Sequence, residues 1–85
     1  MQTFTYEIRD PMGLHARPAG ELVKMMRNYQ SKAVLSVHGK TAESTRLISL
    51  MTLCARQGET LTVTVEGPDE AECAEALRQF LSGTV

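Results

Sequence analysis

The chain has 85 residues, a formal net charge of -1 and 42% hydrophobic residues. A chain of this length fits one small domain, residues 1–85, and buries roughly 60–65% of the surface its unfolded form exposes. That leaves little room for a deep substrate pocket, and the charge balance excludes a strongly basic nucleic-acid binder. No apolar run approaches the roughly 20 residues needed to span a bilayer. The first nine residues lack a basic-then-apolar leader pattern, so a cytoplasmic location without membrane insertion is expected. The two cysteines, Cys54 and Cys73, have no metal-ligand spacing and read as core filler.

Thr3 to Arg9 alternates, with Phe4, Tyr6 and Ile8 on one face, as in a half-buried strand. Asp10-Pro11-Met12-Gly13 breaks it with turn chemistry. A helix is expected from about Ala16. Pro18 suits its first turn, and Ala19, Leu22, Val23 and Met26 recur along one helical face. The polar stretch Asn28 to Lys32 ends it.

Ala33, Leu35 and Val37 alternate again in a second strand. His38-Gly39 reads as a tight turn, and Lys40 to Glu43 returns as a short edge strand. Leu47 to Leu53 is apolar at five of seven positions, a short helix for which Ser44 or Thr45 is the expected cap. Gln57-Gly58-Glu59 turns the chain into a fourth strand carrying Leu61, Val63 and Val65, which Gly67-Pro68 ends. Asp69 and Glu72 resemble a capping box. Cys73, Ala74, Leu77 and Leu81 then mark a last amphipathic helix, with Gly83 as its expected terminator. The order β-α-β-β-α-β-α, with strands polar on one face, implies an α+β open-faced β-sandwich: a four-stranded antiparallel sheet covered on one face by three helices.

The chemistry concentrates at Gly13-Leu14-His15-Ala16-Arg17-Pro18. His15 precedes a helix N-terminus, where unpaired backbone N–H groups and the helix dipole make an anion site. Arg17 adds a guanidinium fork whose geometry matches phosphate oxygens. A neutral imidazole nitrogen is a nucleophile at pH 7. A nucleophile, a cationic clamp and a backbone cradle therefore fall within four residues. A histidine at a helix end is also an ordinary cap or surface residue, and it is the strand, glycine turn and helix around it that favour the functional reading.

The run Gly13-Leu14-His15-Ala16-Arg17-Pro18-Ala19 resembles the active-site signature of HPr, the histidine-containing phosphocarrier family of the bacterial sugar phosphotransferase system. The similarity runs nearly end to end, including His38-Gly39-Lys40 and the helix Leu47 to Leu53. The resemblance implies phosphorylation of His15 on Nδ1, with Ala16, Arg17 and Pro18 around the phosphoryl group. It implies enzyme I, charged from phosphoenolpyruvate, as donor and the A domains of sugar permeases as acceptors. It implies a carrier rather than an enzyme, acting as a monomer without cofactor or metal.

Leu47, Ile48, Leu50, Met51 and Leu53 exceed what one face of a short helix buries. Leu50 and Leu53 are expected in the core. Leu47, Ile48 and Met51 are expected in an exposed docking patch, which Gly20, Lys24, Arg27 and Arg46 border as further partner-binding positions and where the cations would steer acidic partners. Arg56 lies in a loop and could join them. His38 reads as a turn residue. In HPr proteins of many Gram-positive bacteria a regulatory serine stands at the start of the second helix. Arg46 occupies that position and offers no hydroxyl, so a carrier outside that switch is expected. Two other readings remain, the first on the same fold and the second as a small RNA-binding α/β domain. In one, phosphorylation is a signal rather than a transport step; phosphoenolpyruvate, enzyme I and a sugar A domain together separate these. In the other, the sheet binds RNA, but the strands lack an aromatic-rich run and a Gly-x-x-Gly clamp.

Overall fold

A computed structural model describes residues 1–85. It contains β1 (Gln2–Glu7), α1 (Ala16–Met26), β2 (Lys32–Val37), β3 (Lys40–Glu43), α2 (Leu47–Thr52), β4 (Thr60–Glu66) and α3 (Glu70–Thr84), the order expected from the sequence. The four strands form one sheet in the order β1-β4-β2-β3, antiparallel at every junction. β1 and β2 therefore run parallel with β4 between them, and α1 makes the crossover. α2 likewise connects the parallel pair β3 and β4 across β2. Each crossover lays its helix on the same face of the sheet.

That face is the core. Phe4, Leu35, Ala42, Leu61, Val63 and Val65 come from the strands, and Leu22, Met26, Leu50, Leu77 and Leu81 from the helices, all buried. The other face carries the alternate residues, among them Thr3, Thr5, Thr62 and Thr64, paired across β1 and β4. Period-two alternation fixed this register, because a slip of one residue would turn every strand inside out. The Sγ of Cys73 approaches the Sδ of Met26 at 3.7 Å inside the core, and burial pushes its thiol pKa up. Cys54 differs from expectation. It is exposed and adopts a left-handed backbone, φ 53°, just past α2.

Three helix ends depart from the local pattern. α2 is capped by Arg46, not by Ser44 or Thr45, and no side chain caps it. The reason is that Ser44 still belongs to the sheet edge: its N–H donates to the Ala33 carbonyl at 2.9 Å and it is buried. The Arg46 guanidinium reaches back to Glu43, Nε to Oε2 at 3.3 Å, which offsets the cost of a cation at a helix start. Asp69 is the N-cap residue of α3, but its side chain forms no capping box with Glu72. Its carboxylate instead accepts the Ser31 hydroxyl and the Gln30 N–H, and these hold its pKa below the ordinary value of 3.8. α3 does not stop at Gly83. It runs to Thr84, because the Val85 carbonyl accepts the N–H groups of Arg9 and Asp10 at 2.7 and 2.8 Å and the Val85 side chain is buried. That anchoring outweighs the weak helix preference of glycine. No helix is long and apolar enough to cross a membrane.

Candidate functional site

The segment between β1 and α1 sets the site. The Asp10 carboxylate accepts the Met12 N–H at 2.8 Å, and the Asp10 carbonyl accepts the Gly13 N–H at 2.9 Å. This closes the turn that the Asp-Pro-Met-Gly sequence announces. Gly13 stands at φ 64°, and the next residue donates its N–H to the Ala55 carbonyl at 3.0 Å. The turn is thus seated on the loop that follows α2.

His15 is the N-cap of α1. Its backbone is extended, φ -101° and ψ -173°, and its carbonyl accepts the Ala19 N–H at 3.1 Å. Its side chain makes no capping hydrogen bond, so the imidazole does not compete for the free N–H groups of the first turn. Those belong to Ala16 and Arg17, since Pro18 has none. No acidic residue lies in that first turn, so the positive end of the dipole is left for an anion. Pro18 is buried and locks the turn, as expected.

His15, Arg17, Pro18 and Glu21 line an open depression of about 360 Å³ together with Asp10, Gly83 and Thr84. The Arg17 side chain is 86% exposed, and its Nε lies 3.8 Å from Glu21 Oε1, one turn along. The guanidinium therefore borders His15 but leans on a carboxylate. An exposed pair of this kind contributes about 0–1 kcal/mol. A phosphoryl dianion, offering a bidentate fork, competes for it readily. Glu21 was not singled out from the sequence, although its spacing from Arg17 signals the pair. Gly83 and Thr84 carried no such signal, because their place here depends on α3 running past the glycine.

The apolar excess of α2 divides as expected. Leu50 and Leu53 are buried, whereas Ile48 is 74% exposed and Leu47 and Met51 are exposed too. α2 packs beside α1. Along α1, Gly20, Lys24 and Arg27 recur at helical spacing, and both cations are exposed. His15 and the apolar patch thus lie on neighbouring helices. His38 sits in the turn between β2 and β3 with φ 50°, and its Nε2 meets the Glu59 carboxylate. That contact, with the Arg56 N–H, holds the Glu59 pKa below its ordinary value. Arg56 adds no side-chain contact to the basic border. No group of three or more His, Cys, Asp or Glu side chains could hold a metal.

The family model described as "PTS HPr component phosphorylation site" matches residues 2–83. A phosphocarrier protein HPr of Lysinibacillus sphaericus is 35% identical over 82 residues, 96% of this chain and 93% of that protein. A phosphocarrier protein NPr of Klebsiella oxytoca is 35% identical over 74 residues, 86% of this chain and 82% of its own. Among solved structures, a crystal structure of HPr from Thermoanaerobacter tengcongensis superposes with a TM-score of 0.89 at 30% identity, covering 96% of this chain and 92% of that one.

Proposed function

The chain belongs to the HPr family of phosphocarriers of the phosphotransferase system, and on that premise we propose that His15 accepts a phosphoryl group from enzyme I and passes it to the A domains of sugar permeases. The observation that carries this reading is the position of His15: at the start of α1, its ring without a capping bond, beside the free N–H groups of the first turn and the Arg17 guanidinium.

The transfer balances simply. The lone pair of neutral His15 Nδ1 attacks the donor's phosphorus. The bond from phosphorus to the donor's leaving atom breaks, and its electron pair stays with the donor. Nε2 keeps its proton, so His15 emerges as a phosphoimidazolium. The second transfer reverses these steps on the acceptor. The Ala16 and Arg17 N–H groups and the helix dipole stabilise the charge on the phosphoryl oxygens. Arg17 leaves Glu21 to grip the same oxygens. Because the depression is open, the partner supplies the remaining walls and excludes water. Partners dock on Leu47, Ile48 and Met51, with Lys24, Arg27 and Arg46 steering acidic surfaces and Gly20 allowing close approach. The protein serves as a monomeric carrier.

The direct test is mass spectrometry after incubation with enzyme I and phosphoenolpyruvate, which should find one acid-labile, alkali-stable phosphate on His15. Absence of that label would refute the reading.

Two variants separate chemistry from docking. Arg17→Ala should lose at most about 0.5 kcal/mol of stability, as an exposed side chain usually does. Its transfer rate should fall 10-fold or more, about 1.4 kcal/mol at the transition state. Stopped-flow transfer from phosphorylated enzyme I measures this, and a wild-type rate would remove Arg17 from the mechanism. Ile48→Asp should act on the other parameter. KM for the carrier should rise with kcat nearly unchanged, and the melting temperature should barely move, since Asp is well placed in a first helical turn. A collapse of thermal stability would mean that Ile48 belongs to the core.

A further inference from the structure

His15 is held in place from behind, by a loop that has no secondary structure of its own. Residues 54–58 run between α2 and β4, with left-handed backbone at Cys54 (φ 53°) and Gly58 (φ 88°). This loop is the seat of the turn before His15. The Ala55 carbonyl accepts the Leu14 N–H at 3.0 Å. Gly13 approaches so closely that a Cβ there would lie 2.1 Å from that carbonyl oxygen and 3.0 Å from the Arg56 Cα. Any movement of Ala55 and Arg56 is therefore passed to the backbone immediately preceding the phosphoacceptor.

The Gln57 amide ties this loop to Arg9, Nε2 donating to the carbonyl at 3.0 Å, and the Glu59 side chain closes it. Glu59 Oε1 accepts the Arg56 N–H at 2.7 Å, and the Glu59 N–H donates to the Arg56 carbonyl at 3.1 Å. Arg56 is clasped through both its backbone groups. Glu59 is itself fixed, because its carbonyl accepts the Ile8 N–H at 2.9 Å, and Gly58 donates to the Ile8 carbonyl at 2.8 Å. The second carboxylate oxygen meets His38 Nε2 in the turn between β2 and β3. Glu59 thus ties the segment after β1, the loop after α2 and the β2–β3 turn together.

We infer that Glu59 is a positioning residue for phosphoryl transfer: through Arg56, Ala55 and Leu14 it fixes the backbone that aims His15. Glu59 is not among the residues that line the depression at His15. The inference rests on the phosphocarrier reading for its kinetic consequence, but its structural half stands without it. Misplacing a nucleophile by about 1 Å costs rate, whereas Leu47 and Ile48 of the docking patch lie at the start of α2, the end away from the Arg56 clasp. Loss of the clasp should therefore appear in kcat.

The experiment compares Glu59→Ala, Glu59→Asp and Glu59→Gln in two arms. In the first, amide hydrogen exchange is read by NMR on the unphosphorylated protein. Glu59→Ala should speed exchange of the Leu14 N–H at least 10-fold and leave the Leu35 and Val63 amides of the sheet as in the wild type. In the second, transfer from phosphorylated enzyme I should show kcat lowered 3- to 10-fold in Glu59→Ala with KM unchanged. Glu59→Asp, which keeps the charge but shortens the reach, should fall between that variant and the wild type. Glu59→Gln keeps an acceptor oxygen for the Arg56 N–H and should restore kcat to within 2-fold. Unaltered Leu14 exchange, a uniform acceleration at every amide, or a loss expressed in KM would each overturn the inference. Failure of the wild type to accept phosphate would instead strike the phosphocarrier reading, and the exchange arm would still be readable.

Discussion

His15→Ala will take up no phosphate from enzyme I and phosphoenolpyruvate, while His38→Ala will be labelled as the wild type is. The chain has two histidines, so the pair of variants is a complete test of the imidazole acceptors. The two rings differ in every respect that matters to phosphoryl chemistry. His15 stands at the head of an eleven-residue helix with no acidic residue in its first turn, so a dianion on its ring meets N–H groups and the positive end of the dipole. His38 stands in a two-residue turn, and its Nε2 already contacts the Glu59 carboxylate. A phosphoryl group attached there would face a carboxylate and find no backbone donors arranged to receive it. Label persisting in His15→Ala would show that another residue carries the phosphate, and acid stability of that label would exclude a phosphohistidine. Because His15 is a cap residue that makes no side-chain capping bond, its replacement should leave the fold intact, and lost labelling can then be assigned to lost chemistry.

The local patterns carried much of this. The alternation at Phe4, Tyr6 and Ile8, and again at Leu61, Val63 and Val65, puts those side chains on the core face where the structure has them. The apolar excess of α2 foretold an exposed patch at Leu47, Ile48 and Met51. Both are near-neighbour effects, in which period and face decide the outcome. The strand order β1-β4-β2-β3 was not legible, because it depends on pairings between segments up to about sixty residues apart along the chain. The helix ends failed for the same reason. Ser44 looks like a cap until the Ala33 carbonyl, eleven residues earlier, claims its N–H. Asp69 looks like half of a capping box until Ser31 and Gln30 take its carboxylate. Gly83 looks like a stop until Val85 docks on Arg9 and Asp10. At the site, His15, Arg17 and Pro18 came from one contiguous motif and could be read directly. Glu59 and Ala55, which fix the motif from behind, are about forty residues away, and nothing in their local sequence ties them to it.

Gly13→Ala should be strongly destabilising, and Gly20→Ala, only seven residues later, should be mildly stabilising. Gly13 has φ 64°, where a side chain costs about 1–2 kcal/mol. The added Cβ would also sit 2.1 Å from the Ala55 carbonyl oxygen, far inside contact distance, and the obstacle is backbone that cannot rotate aside. Relief requires the turn and the loop after α2 to part, which breaks the Leu14 N–H bond to Ala55 and adds an overpacking cost of about 1–3 kcal/mol. The sum, roughly 2–5 kcal/mol, corresponds to a fall in Tm of at least about 8 °C for a domain of this size. Gly20 lies inside α1 with nothing within 4 Å of where its Cβ would be. Alanine there should add about 0.5–1 kcal/mol through helix propensity alone. Thermal and urea unfolding measure both. The same two variants also report on function. Gly13→Ala displaces the residue before Leu14 and His15, so its transfer rate should drop even at temperatures where it is fully folded. Gly20→Ala leaves the His15 turn alone, and a methyl on the docking face should change KM modestly and kcat not at all. Equal stability of Gly13→Ala and the wild type would mean that the close approach to Ala55 does not exist in solution, and the seat assigned to the His15 turn would fall with it.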